Sequence, residues 1–271
     1  MLSRIVATLD LVDDDELSRF ARLYGGSMQR LIGSALQFFD RAIRRRIDEL
    51  DVPNDEKDML LDEKGARVVD LVNRLVPWLQ RRLREHAVLE YSVATIEAYM
   101  DERGIAPRRP RQPPAIAFLD LTGYTALTED RGDEAAAELA AGLANIVQEG
   151  AEAHGGQPVK WLGDGVMFHF ADPGGAVLGG LDLVERTGRA ISVPARVGIN
   201  AGSVIVQEGD YFGGTVNIAA RITDYAGPHE VLVSEEAKRR AGVAGVTFEL
   251  IGDIRLRGVS RPVTLHRATR V

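Results

Sequence analysis

Ala115-Ile116-Ala117-Phe118-Leu119-Asp120-Leu121-Thr122-Gly123-Tyr124-Thr125 decides the fold of this chain. The run from Ala115 to Leu121 is a short apolar strand interrupted by a single carboxylate, Asp120, and Thr122-Gly123 ends it. Beyond it the pattern alternates. Gly132 to Ala153 reads as a helix with Ala136, Leu139, Leu143 and Ile146 on one face, and Pro158 to Phe170 reads as a hairpin, because two apolar runs flank Gly163-Asp164-Gly165. Asp172-Pro173 caps and starts another helix. Strands are expected at Ala195–Ile199, Ser203–Val206 and Glu230–Val233, a helix at Thr215–Tyr225, and a closing pair of strands around Arg257-Gly258. Strands alternating with helices predict an α/β or α+β sandwich, one sheet covered by helices.

Upstream the pattern is different. Met28, Leu31, Ile32, Leu36, Phe39, Ile43, Ile47 and Leu50 recur at three- and four-residue intervals, a helical stripe that a strand would scatter over two faces. Asp51-Val52-Pro53-Asn54 breaks that helix, and Asn54 can cap the next, which carries Val68, Leu71, Val72, Leu75, Leu79 and Leu83. Pro77 predicts a kink or a break there. Four prolines, Pro107, Pro110, Pro113 and Pro114, then end helix formation. The expected organisation is a helical domain over 1–104, a Pro-rich linker over 105–114 and an α+β domain over 115–271.

The 271 residues carry 33 basic and 40 acidic side chains, a net charge of −7, and neither half has the basic excess expected of a nucleic-acid binder. Cysteine is absent, which excludes disulfide frameworks, zinc–thiolate sites and cysteine nucleophiles. No run approaches the roughly 20 apolar residues of a membrane span. Met1–Asp10 lacks the features of a secretory signal, so the expectation is a cytoplasmic protein.

Two carboxylates stand out. Asp120 sits inside an apolar strand and Asp164 at the tip of a hairpin with apolar flanks, and an unpaired carboxylate near a sheet is costly. If they converge they form an oxygen-ligand site suited to Mg²⁺; taken alone, Gly163-Asp164-Gly165 is also simply a good turn. Asn217 and Arg221 lie four apart, on one face of the predicted helix.

Four segments in order resemble the class III nucleotidyl cyclases: Phe118 to Thr125, Lys160-Trp161-Leu162-Gly163-Asp164, Arg196-Val197-Gly198-Ile199-Asn200-Ala201-Gly202, and Asp210 to Arg221. The resemblance spans about Pro114 to Val271. It implies a ferredoxin-like βαββαβ core sheet covered by helices, and an adenylyl cyclase converting ATP to 3′,5′-cyclic AMP and pyrophosphate. By that resemblance Asp120 and Asp164 hold two ions, Mg²⁺ or Mn²⁺. Lys160 and Asp210 match the pair that reads adenine through N1 and the N6 amino group, where guanylyl cyclases carry a glutamate and a small or cysteine residue. Asn217 orients the ribose, and Arg221 stabilises charge on the α-phosphate. The basic residue for the β- and γ-phosphates falls among Arg255, Arg257 and Arg261, with Arg257 preferred.

In this family the metal aspartates come from one catalytic domain and the other four residues from its partner, so a head-to-tail homodimer with two equivalent sites is implied. His86, His154, His169, His229 and His266 have no part in that chemistry. The helical half is similar to the N-terminal regulatory domain of soluble actinobacterial adenylyl cyclases, through Leu17 to Gly25 and the long helix before the prolines, although it reads as lacking the first part of such a domain. It is expected either to set the placement of two catalytic domains or to serve as a passive dimerisation collar. The alternative function is a catalytically silent cyclase-like module that binds nucleotide or lipid. A diguanylate cyclase is excluded, because Gly163-Asp164-Gly165-Val166 does not supply the Gly-Gly-Asp/Glu-Glu-Phe turn.

Overall fold

The computed structural model describes residues 14–103, 113–191, 193–207 and 210–271. The chain falls into two compact units, Met1–Arg109 and Pro110–Val271, each described by itself. Of the expected linker, residues 105–112 lie outside the described residues.

The first unit is helical: α1 (Asp14–Phe39), a π-helical turn (Asp40–Arg44), α2 (Arg45–Asp48) and α3 (Asn54–Glu102). Asp14, Asp15 and Glu16 occupy the first turn of α1, where negative charge favours the positive end of the helix. The predicted stripe from Met28 lies on a helical path that continues to Asp48, widened by the π turn. The break expected at Pro77 does not occur, since α3 runs through it. A proline removes one main-chain bond, and a helix of 49 residues keeps the rest. Helices α1 and α3 flank an apolar groove lined by Ile32, Leu36, Phe39, Val68, Val69 and Val72, and Gln80 Nε2 donates to Tyr24 Oη at 2.9 Å. Among the described residues of this unit only Ile47 is buried, while Phe20, Leu36, Trp78, Leu83 and Tyr91 are exposed.

The second unit is built on a seven-stranded sheet. Its elements are β1 (Ala115–Leu121), α4 (Tyr124–Glu152), β2 (Gly156–Leu162), β3 (Gly165–Phe170), α5 (Pro173–Ala190) and β4 (Ala195–Ala201), then β5 (Ile205–Gln207), β6 (Asp210–Phe212), α6 (Gly214–Tyr225), β7 (Val231–Ser234), α7 (Glu235–Ala241), β8 (Val246–Ile254) and β9 (Val263–Arg270). The order is β2-β3-β1-β4-β7-β9-β8. Strands β1 to β4 pair antiparallel throughout, which is the ferredoxin-like βαββαβ arrangement expected from the motifs. Strand β7 then joins β4 in parallel, and the β8–β9 hairpin closes that edge.

Alternation along the strands sends two sets of side chains to opposite faces. Ala115, Ala117, Leu119, Val166, Phe168 and Phe170 enter the larger core with α4, α5 and α7 residues. Ile116, Phe118 and Met167 pack on the other face with Val216 and Ala219 of α6. Helix α6 lies so close to β4 that a Cβ on Gly198 would stand 2.2 Å from the backbone nitrogen of Thr223. Only glycine permits that approach.

Several element boundaries differ from the periodicity reading, most of them by one or two residues. Helix α4 begins at Tyr124, and the start expected at Gly132 is instead an internal break where Gly132 takes φ 80° and ψ 175°, backbone open to glycine. The strand expected at Ser203–Val206 is β5, shifted to Ile205–Gln207 and paired with a strand, β6, that the pattern did not reveal. The closing strands flank Arg257-Gly258 as expected. Among the described residues no helix is long and apolar enough to cross a membrane.

Candidate active site

The antiparallel registers bring three sequence-distant segments to the end of β1. Leu119 pairs with Val166, so the turn before β3 lies beside Asp120, and Asp120 itself pairs with Arg196 of β4. That turn is tight. Gly163 has φ 70°, and a Cβ on Gly165 would stand 3.1 Å from Leu119 O and 3.6 Å from Asp120 Oδ1. Asp164 is therefore delivered next to Asp120.

The electrostatics record the same closeness. Burial raises the Asp164 carboxyl above its ordinary value; a main-chain hydrogen bond lowers it, the Asp120 charge raises it further and Arg196 lowers it. A small apolar cavity lined by Tyr124, Leu143, Ala144 and Trp161 opens beside Asp164. Asp120 is clamped: Arg196 Nε and Nη2 donate to its Oδ2 at 2.9 and 2.6 Å. The same guanidinium turns Nη1 to the carbonyls of Asp224 and Ala226 at 3.1 and 3.2 Å, which lie at the C-terminal end of α6, where carbonyls lack helical partners. In the sequence Arg196 stands out only as the first residue of the Arg196–Gly202 motif. A charge alternating into β4 opposite a charge in β1 was the signal that could have paired them.

Lys160 and Asp210 also meet. Lys160 on β2 follows a bulge between Pro158 and Lys160, and its Nζ donates to Asp210 Oδ2 at 2.5 Å. The Tyr211 amide donates to Asp210 Oδ1 at 2.8 Å. Burial pushes the Asp210 carboxyl up, but the hydrogen bonds from Lys160 and Tyr211 outweigh it and hold the group below its ordinary value. The pair is thus a charged donor beside a charged acceptor, both partly exposed.

Asn217 and Arg221 stand exposed on α6, while Thr215, Val216, Ala219, Ile222 and Thr223 of the same helix are buried. Their common face is turned away from the chain's own core. Arg221 Nη1 donates to Asp224 Oδ2 at 2.7 Å. Arg257 lies exposed in the turn between β8 and β9, one residue before Gly258 with φ 78°. The structure thus joins Asp120 with Asp164 and Lys160 with Asp210, and sets Asn217 and Arg221 together on one exposed face.

Comparison with known proteins agrees with this architecture. The family described as "Adenylate and Guanylate cyclase catalytic domain" matches residues 54–267. A pH-sensitive adenylate cyclase of Mycobacterium tuberculosis is 31% identical over 215 residues, covering 76% of this chain and 53% of that protein. An adenylate cyclase of Streptomyces griseus is 36% identical over 166 residues, 60% of this chain and 41% of that protein. The chain therefore spans about half the length of the first of these relatives and less of the second. Among solved structures, the adenylyl cyclase CyaB from P. aeruginosa superposes with a TM-score of 0.54 at 24% identity, over 59% of this chain and 95% of that one, a likeness of fold.

Proposed function

Because the chain belongs to the adenylate and guanylate cyclase catalytic domain family, we propose that it converts ATP to 3′,5′-cyclic AMP and pyrophosphate at a site shared between two copies. The observation that carries this reading is the convergence of Asp120 and Asp164 beside one another at the end of β1. Two hard carboxylate donors suit Mg²⁺ or Mn²⁺, which complete their shells with water and phosphate oxygens. The fit is supported by Asp164, whose carboxyl is raised above its ordinary value first by burial and then by the neighbouring Asp120 charge, against the opposing pull of a main-chain hydrogen bond and Arg196. Asp120 and Asp164 would hold the ions, and their chemistry when bound is to neutralise the triphosphate and acidify the ribose 3′-hydroxyl.

The chain's own residues do the rest. Lys160 donates to adenine N1 and Asp210 accepts from the N6 amino group, a donor and acceptor order that GTP reverses. Asn217 holds the ribose so that O3′ faces the α-phosphorus. Attack there forms the O3′–P bond, breaks the bond from the α-phosphorus to the bridging oxygen, and releases pyrophosphate and the hydroxyl proton. Arg221 stabilises the charge that develops on the α-phosphate oxygens. Among Arg255, Arg257 and Arg261, all exposed, Arg257 serves the β- and γ-phosphates.

The exposure of Asn217 and Arg221 away from their own core supports a head-to-tail dimer, in which one copy's α6 face meets the other's aspartates. The exposed apolar residues of α1 and α3 support a dimerising role for the helical unit, which sets the placement of the catalytic domains. The test is direct. Purified protein with ATP and Mn²⁺ should form cyclic AMP, Asp120→Ala and Arg221→Ala should each be inactive, and mixing the two under confirmed subunit exchange should restore turnover. An exchanged mixture that stays silent overturns the shared site.

A further inference from the structure

Asp210 is carried by a hairpin that hangs off the main sheet. Strands β5 and β6 form a two-stranded sheet of their own, and Ile205, Val206 and Phe212 are 63%, 61% and 46% exposed. An isolated two-stranded hairpin is marginal in water, so a base reader mounted on it needs anchoring from elsewhere. Three successive residues supply that anchoring. Asp210 accepts from Lys160. Phe212 lies beneath the Lys160 ammonium, 5.8 Å from ring centroid to Nζ. Between them, the Tyr211 ring stacks on His169 with centroids 4.6 Å apart and planes 18° from parallel.

His169 stands on β3, an interior strand, paired with Ile116 on one side and Gln157 on the other. Tyr211 is half-buried against the cluster of Ile116, Phe118, Met167, Val216 and Ala219. An aliphatic side chain would fill the same space, whereas a flat ring also fixes the orientation of the ring above it. Holding the Tyr211 side chain against β3 and α6 limits where this segment of β6 can lie, and the Tyr211 amide in that segment donates to Asp210 Oδ1. Resting on the reading that Lys160 and Asp210 recognise adenine, we propose that His169 is a positioning residue for nucleotide specificity, acting through Tyr211 on Asp210. Burial lowers the pKa of the His169 ring, so the contact is between neutral rings near pH 7.

The test compares His169→Leu, His169→Phe, Tyr211→Leu and the double variant Lys160→Glu with Asp210→Cys in the full chain. ATP and GTP are followed both by steady-state kinetics and by calorimetric titration of nucleotide affinity. Loss of one ring stack predicts that His169→Leu raises KM for ATP about two- to tenfold and lowers the ATP-over-GTP preference by a similar factor. Its kcat should fall less than its KM rises. His169→Phe, which keeps the stack, should restore both. If His169→Leu melts early, Tyr211→Leu at the hairpin carries the same expectation. Unchanged KM and preference in His169→Leu, or an equal loss of kcat on both nucleotides, would overturn the role of His169 while a shifted preference in the double variant left the base-reading pair standing. Unchanged preference in the double variant would overturn the base-reading assignment itself, and this inference with it.

Discussion

Replacing Arg196 by methionine keeps most of the side-chain volume and removes the two charge-assisted hydrogen bonds to Asp120 Oδ2, at 2.9 and 2.6 Å. It also strips the carbonyls of Asp224 and Ala226 of their donor. Side-chain exposures of 26% for Arg196 and 29% for Asp120 put the pair between two limits. Breaking a fully buried pair by removing one partner costs about 3–5 kcal/mol, and an exposed pair is worth about 0–1 kcal/mol. A loss of about 2–3 kcal/mol is expected. For a unit of this size each kcal/mol moves the melting temperature by about 2–4 °C, so scanning calorimetry in chelator should show a fall of about 4–12 °C. Without the guanidinium, Asp120 and Asp164 face each other uncompensated, and Mn²⁺ should therefore return more stability to the variant than to the parent. A melting temperature in chelator within about 1 °C of the parent would refute the view that Arg196 holds Asp120 in place.

Two further expectations follow from the packing. Gly198→Ala forces a Cβ to 2.2 Å from the Thr223 amide nitrogen and 2.8 Å from Ala219 O. Because both are backbone atoms of α6, the cost should reach or exceed about 3 kcal/mol, the upper end for overpacked sites. Denaturant unfolding measures it, and a cost below about 1 kcal/mol would mean that α6 can lift from β4. The second concerns pH. His169 has a folded pKa below its ordinary value of 6.5 because it is buried, so the unfolded chain takes up the proton first as pH falls. Its contribution to stability is full above about pH 6.5 and is lost as pH drops towards the folded value. The parent should lose more thermal stability than His169→Phe between about pH 7.5 and pH 5.5, and equal losses would assign the acid sensitivity to other groups.

Much of the fold was legible because its signals are local. The apolar run Ala115–Leu121, the glycine turn around Asp164 and the cap at Asp172-Pro173 each act within a few residues. They became β1, the β2–β3 turn and the start of α5, where Asp172 accepts from the Gly175 amide. The helical stripe from Met28 was legible for the same reason. At Pro77 the helix continues, because a helix of 49 residues absorbs the loss of one main-chain bond. Strand β6 was missed because three residues, Asp210 to Phe212, carry too short a pattern to read.

The candidate site divides the same way. The motifs gave its residue types and their order, and the four-residue spacing already put Asn217 and Arg221 on one helix face. What the sequence by itself determined was which side chains were available and which short segments would hold them, since turn chemistry and periodicity are properties of neighbours along the chain. Only the tertiary structure decided that Arg196 grips Asp120 from 76 residues away, that Lys160 reaches Asp210, and that His169 lies under Tyr211. Those contacts depend on strand register and on the order β2-β3-β1-β4, and register is settled by how two faces of a sheet are buried at once.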